Sequence, residues 1–202
     1  MKYFVTAIDT DSGKTLVSSI LCEALHADYW KPIQAGLPRD TETVRSLISN
    51  TISQFHPEAY LLNTPASPHM AARLDSITID ENKIVLPDTH ALIVEGAGGC
   101  LVPLNHSFFM IDLIKQLNVP VILVCDLYLG SINHTLLSVE ALHNRSIEIT
   151  GIVFNGEPNP DSEQIILQHT GLQCLLRVNK EPFIDRAVVR KYADGIRQSL
   201  IK

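Results

Sequence analysis

Apolar residues along this chain fall into short runs separated by segments of helical spacing. Five runs read as strands: Tyr3–Thr6, Ala27–Lys31, Ala91–Glu95, Val119–Cys125 and Thr150–Asn155. Ala91-Leu92-Ile93-Val94 and Val119-Pro120-Val121-Ile122-Leu123-Val124 are almost continuously apolar, as strands covered on both faces of a parallel sheet must be. The intervening spacing predicts helices over Thr15–Leu25, Thr41–Ile52, Met110–Leu117, Ile132–His143 and Asp161–His169, with a polar helix from about Asp185. Strand–helix alternation implies right-handed crossovers, and hence an α/β fold with a doubly wound, mainly parallel sheet flanked by helices. The length suits one domain over residues 1–202. Asn63–Asn82, with Thr64-Pro65-Ala66-Ser67-Pro68-His69 inside it, reads as a long excursion of the kind that often carries function.

Sheets of this type bind ligands outside the C-terminal ends of their strands. The unusual polar residues gather at those ends: Asp9 to Thr15, Lys31, Glu95, Asp126 and Asn155. The first group is the most informative. A strand runs into Asp9-Thr10-Asp11-Ser12-Gly13-Lys14-Thr15, and a helix follows at once. Backbone N–H groups of such a loop, here Asp11, Ser12 and Gly13, wrap the phosphates of a nucleoside triphosphate. Lys14 reaches the β/γ oxygens and the Thr15 hydroxyl ligates Mg²⁺. The strict G-x-x-x-x-G-K-[ST] pattern fails, because Ile8 stands where its first glycine belongs. The competing reading is a polar turn and an ordinary helix capped by Ser12 or Asp11. The position between strand and helix favours the phosphate loop.

Further candidates follow. Glu95 ends a buried strand and precedes Gly96-Ala97-Gly98-Gly99, which suits Mg²⁺ coordination or a polar substrate approached by backbone. Lys31 sits after the second strand, either to steady an anion or as a solvated lysine. Asp40 reads equally as a metal carboxylate or a helix N-cap. Ser67-Pro68-His69 offers a hydroxyl and an imidazole, or a structural turn. Gly130-Ser131-Ile132-Asn133 opens a helix whose N-terminus suits a carboxylate, with capping by Ser131 as the plainer reading. Asn155 carries the paired donor and acceptor that a purine edge needs, or makes a turn with Gly156.

Composition narrows the setting. A hydrophobic fraction of 46% and a charged fraction of 19% are ordinary for a globular chain with a full core. A net charge of −6 argues against a nucleic-acid partner. No apolar run is long enough for a membrane span, and the first residues lack a basic segment leading an apolar signal core. Cys22, Cys100, Cys125 and Cys174 form no C-x-x-C pair, so reduced cysteines and a cytoplasmic location are expected.

In order along the chain, these segments resemble the dethiobiotin synthetases, ATP-dependent enzymes of biotin synthesis in the P-loop NTPase superfamily. The matching stretches are Ala7–Thr15 (against roughly G-T-D-T-x-V-G-K-T), Lys31-Pro32-Ile33-Gln34-Ala35-Gly36, Ser67-Pro68-His69, Val94-Glu95-Gly96-Ala97-Gly98-Gly99, Pro103-Leu104, Pro120–Val124, Leu129–Leu137 and Gly151–Asn155. The resemblance implies a ligase that takes 7,8-diaminopelargonate, CO₂ and MgATP to dethiobiotin, ADP and phosphate. One substrate amine takes up CO₂ as a carbamate, the carbamate attacks the γ-phosphate, and the second amine closes the ureido ring and expels phosphate. It further implies that Lys14 stabilises the transferring phosphoryl group and that Thr15, Asp40 and Glu95 surround Mg²⁺. Lys31 with Lys14 would hold the carbamate, Thr10, Ala35 and Gly98 would meet substrate, and Asn155 would meet adenine. Gly130, Ser131 and Asn133 would bind the substrate carboxylate of a neighbouring subunit, which makes a homodimer the expected assembly. The chain departs from the family at Ala7 (usually Gly), Ser12 (Val or Ala), Ala35 (Ser or Thr) and Arg177–Pro182, where a Gly-x-Ile-Pro segment is customary. The rival is a partition- or septum-type ATPase switch of the same superfamily. Its signature lysine early in the loop is replaced here by Asp9.

Overall fold

A computed structural model describes residues 1–200. The strands are β1 (Lys2–Ala7), β2 (Asp28–Trp30), β3 (Ile33–Ala35), β4 (Phe55–His56), β5 (Tyr60–Leu62), β6 (Leu92–Gly99), β7 (Val121–Asp126), β8 (Ile149–Asn155) and β9 (Cys174–Val178). The helices are α1 (Lys14–Leu25), α2 (Asp40–Leu47), α3 (Pro68–Leu74), α4 (Met110–Leu117), α5 (Ser131–His143), α6 (Pro160–Thr170) and α7 (Arg186–Leu200). Seven strands form one sheet in the order β4-β2-β6-β1-β7-β8-β9, and every pair in it is parallel. The doubly wound α/β expectation therefore holds.

The continuous apolar runs do what their pattern requires. Phe4, Leu92, Val94, Val121 and Leu123 point into one core with residues of α3, α4, α5 and α6. Val5, Ile93, Ile122 and Val124 point the opposite way, against α1, α2 and α7. Alternation along each strand thus serves two cores, one per face. β1 lies at the centre, so the loop that follows it opens between its neighbours β6 and β7.

Several expectations need correction. The helix expected over Thr41–Ile52 stops at Leu47. Beyond it, Ser49 and Asn50 give their backbone N–H groups to the Glu23 carboxylate of α1, at 2.7 and 3.0 Å. The run Ala27–Lys31 is broken by Lys31-Pro32, and the chain then leaves the main sheet to pair β3 with β5. The excursion over Asn63–Asn82 contains α3 and the start of a 3₁₀ turn, Glu81–Lys83. Glu95 does not end its strand: β6 continues through Gly96–Gly99. A side chain at Gly96 would come within 2.9 Å of the Phe4 ring, so close packing explains that glycine. The edge strands β4 and β9 were not expected, and neither was the β3–β5 pair; all are short and carry no clean alternation.

Candidate active site

The loop between β1 and α1 is built around Gly13, whose φ of +95° lies in the region that favours glycine. Gly13 is also the N-cap of α1, and no side chain caps this helix. The capping alternative therefore falls: Ser12 is fully buried and its hydroxyl donates to the Asp9 carbonyl at 3.3 Å. The orphan N–H groups of the first turn are left facing the loop, the arrangement that gathers an anion. Lys14 Nζ bridges the loop by donating to the carbonyls of Asp9 (2.9 Å) and Thr10 (2.7 Å). Burial pushes the Lys14 pKa down to about 8; Glu95 pulls it up, and neighbouring Lys31 adds to the lowering.

A crevice of about 600 Å³ opens beside this loop. Thr10, Asp11, Gly13, Lys14, Thr15, Lys31, Asp40 and Glu95 line it, and Ala35, Ser67 and Gly98 are among the other residues of its wall. Its floor is a compact charge cluster. Thr15 Oγ1 donates to Glu95 Oε1 at 3.0 Å and lies 3.2 Å from Asp40 Oδ1. Lys31 Nζ sits between the same two carboxylates, 2.7 Å from Asp40 Oδ2 and 3.0 Å from Glu95 Oε1. Burial works to lower the Lys31 pKa, but Glu95 and Asp40 outweigh it and hold it above its ordinary value. Both plainer readings fail here: Lys31 is buried rather than solvated, and Asp40 makes no cap hydrogen bond at the start of α2.

Two residues of this cluster escape a reading of sequence. The Tyr29 hydroxyl, fully buried, donates to Glu95 Oε2 at 3.0 Å, so Oε1 is the oxygen left toward Thr15 and Lys31. Gln34 Oε1 accepts from the Asp40 backbone N–H at 3.0 Å while its amide donates to the Gly36 carbonyl at 3.1 Å, which fixes where α2 begins. Tyr29 hides in an apolar run and was signalled only by its closeness to Lys31, while Gln34 stands in the family-like stretch Lys31–Gly36 without a role legible there.

Other candidates lie elsewhere. Gly130, Ser131 and Asn133 do not line the crevice. Ser131 does not cap α5; its hydroxyl is buried without a partner. A second hollow of about 360 Å³ adjoins the crevice at Thr10 and Val102, and His134 and Leu137 of α5 contribute to it. His69 is exposed, and the one side-chain bond of its ring is to Ser67, at 3.1 Å. Asn155 reaches the phosphate loop itself: Nδ2 donates to the Ser12 carbonyl at 2.9 Å. One of its two N–H groups is therefore committed to the loop, and the other N–H and Oδ1 remain for a base.

Among the described residues, no group of three or more His, Cys, Asp or Glu is placed to hold a metal. Thr15, Asp40 and Glu95 nevertheless offer a hydroxyl with two carboxylates, each within hydrogen-bond reach of that hydroxyl. Hard oxygen donors few in number are what Mg²⁺ takes from proteins when phosphates and water complete its shell, so this set fits that ion. All four cysteines are free. No helix among the described residues is long and apolar enough to cross a membrane.

Comparison with known proteins speaks to the family and to the fold. A family model described as an AAA domain matches residues 1–188. The chain is 56% identical to the ATP-dependent dethiobiotin synthetase BioD of Cytophaga hutchinsonii over 195 residues, covering 95% of each chain. It is 48% identical to the protein of the same name from Christiangramia forsetii, over 98% of this chain and 97% of that one. Among solved structures, the septum site-determining protein MinD of Pyrococcus horikoshii, determined with Mg-ADP, superposes with a TM-score of 0.63 at 12% identity, covering 100% of this chain and 97% of that one. A ParA family ATPase from Chlorobium tepidum does so with a TM-score of 0.62 at 9% identity, covering 100% and 99%. Likeness at that identity speaks to the fold alone.

Proposed function

The chain belongs to the ATP-dependent dethiobiotin synthetase family, and from that premise we propose that its crevice closes the ureido ring of dethiobiotin from 7,8-diaminopelargonate, CO₂ and ATP. The observation that carries the reading is the convergence of Lys14, Thr15, Lys31, Asp40 and Glu95 in one crevice beside a helix N-terminus free of side-chain caps.

The reaction needs no protein nucleophile. One substrate amine adds to CO₂ and loses a proton to give a carbamate. A carbamate oxygen attacks the γ-phosphorus of ATP and ADP leaves. The second amine then attacks the carbamoyl carbon and gives up a proton, the C–O bond breaks so that phosphate leaves with its electron pair, and the ring closes. Each step moves negative charge, and the protein's task is to orient the partners and meet that charge. Lys14, released from the Asp9 and Thr10 carbonyls, answers the charge on the transferring phosphoryl group. Lys31 reaches the carbamate from the floor of the crevice while Asp40 and Glu95 keep it protonated. Thr10, Ala35 and Gly98 form the substrate side, and Ala35 gives that wall no hydroxyl. Asp11, Ser12 and Gly13 supply backbone N–H groups to the phosphates. Thr15, Asp40 and Glu95 would hold Mg²⁺, which neutralises phosphate charge when bound. The base has the Asn155 Oδ1 acceptor within the same end of the sheet.

A homodimer completes the reading. Gly130, Ser131 and Asn133 would serve the substrate carboxylate of a second subunit, in keeping with the exposed Leu129, Leu101 and Leu137 nearby. The enzyme would work in the cytoplasm as a single domain. The test is phosphate release from MgATP by the purified protein. Release should require diaminopelargonate and bicarbonate together; equal hydrolysis without the diamine would refute the reading.

A further inference from the structure

We infer that Asn155 is a positioning residue for the phosphate loop: it turns the Ser12–Gly13 peptide so that the Gly13 N–H faces the triphosphate. The inference rests on the reading of residues 9–15 as a triphosphate site. Asn155 ends β8, which is separated from β1 by β7. Adjacent strands lie about 4.8 Å apart, so the loop must arch over the end of β7 to meet it. It does so, and Asn155 Nδ2 donates to the Ser12 carbonyl at 2.9 Å across 143 residues of sequence.

The carbonyl of Ser12 and the N–H of Gly13 belong to one planar trans peptide, so they point in opposite directions. A bond that holds the carbonyl outward, toward β8, therefore holds the N–H inward. A loop that gathers anions needs its N–H groups inward and its carbonyls out of the way. The space beneath Gly13 points to the same role. A Cβ at that position would lie 2.3 Å from Asn155 Nδ2, so the Asn155 amide occupies the volume that the glycine leaves. The clamp itself is anchored: Asn155 pairs with Asp126 and Val178 in the sheet, and its carbonyl accepts from Leu127 N–H at 3.3 Å.

A residue that only read the base would matter to ATP and be irrelevant to a ligand without one. The probe is inorganic tripolyphosphate with Mg²⁺, titrated calorimetrically beside MgATP into wild type, Asn155→Ala and Asn155→Leu. Both variants are neutral, so neither repels the anion. Loss of one net hydrogen bond that sets loop geometry should raise the tripolyphosphate Kd roughly fivefold, and the MgATP Kd by at least as much. The thermal midpoint should stay close to that of wild type. Tripolyphosphate binding unchanged in both variants, with MgATP binding weakened, would overturn the clamp and leave base reading. Loss of cooperative melting in both would also overturn it, because Asn155 would then serve the fold at large. Wild type that binds neither ligand would remove the triphosphate site on which the inference stands.

Discussion

Replacing Lys31 by Met tests the charge balance of the crevice floor. The Lys31 and Glu95 side chains are 5% and 1% exposed and lie 3.0 Å apart; Asp40, at 2.7 Å, is 30% exposed. Met keeps much of the lysine stem's volume, so the perturbation is chiefly loss of the ammonium. Glu95 would be left with only the Thr15 and Tyr29 hydroxyls as donors from its present side-chain partners. Removing one member of a buried pair costs about 3–5 kcal/mol, because the partner's charge stays desolvated. For a chain of this length that corresponds to a fall in Tm of roughly 6–20 °C. Asp40 adds less, since water reaches it. Urea denaturation without nucleotide or metal measures the loss. The double variant Lys31→Met/Glu95→Gln should recover more than half of it, because a neutral pair carries no buried charge. A single variant within about 1 kcal/mol of wild type, or a double variant less stable than the single, would refute the reasoning.

Tyr29→Phe removes one donor from Glu95 without opening a cavity of note; it should cost about 1.5–3 kcal/mol, the range for bonds to a charged acceptor. The same variant should weaken binding of MgADP more than of ADP alone in calorimetric titration, and equal weakening would separate Tyr29 from the metal site. The pH dependence follows from Lys14, whose pKa in the ligand-free protein is lowered to about 8. A bound triphosphate favours the ammonium form and raises that pKa, so affinity should fall as pH rises through 8. Binding near pH 8 should take up roughly half a proton, read from calorimetry in buffers of different ionisation heat. No uptake would mean that Lys14 does not meet the phosphates.

What was legible in the sequence follows from how each signal is encoded. Central strands declare themselves because burial on both faces forces continuous apolar runs, as in Val121 to Val124. The edge pair β4 and β9 lacks that constraint, and Arg177 even stands within β9. The five residues of the charge cluster were each legible as candidates, since they end strands or open helices on one side of a parallel sheet. Their mutual arrangement was not: that Lys31 is clasped by two carboxylates depends on residues 64 positions apart. Tyr29 and Gln34 act through contacts made only once β2, β6 and α2 have packed. The role of Asn155 was half legible, because an amide at a strand end has two faces and sequence cannot say that one is spent on Ser12.

The departures from the phosphate-loop pattern have a backbone explanation. A glycine is needed where φ is positive or where another chain presses close. Among residues 8 to 14, Gly13 alone has positive φ. Ile8, where the strict motif wants its first glycine, still extends the sheet, its N–H donating to the Val124 carbonyl at 3.1 Å. It is also packed against the apolar core, a use that glycine could not serve. On the neighbouring strand β6, a Cβ at Gly99 would stand 3.4 Å from both the Ala7 and the Ile8 carbonyls, an ordinary contact distance. Gly99 lies beside Ala7 in the register, so backbone rather than a side chain flanks the entry to the loop. Asp9 fits the same economy of backbone groups, its carboxylate accepting from Thr10 N–H at 2.7 Å while its carbonyl takes Lys14. A loop shaped by these contacts does not depend on a first glycine, and so the motif's failure at Ile8 leaves the phosphate-gathering geometry at Gly13 to Thr15 intact.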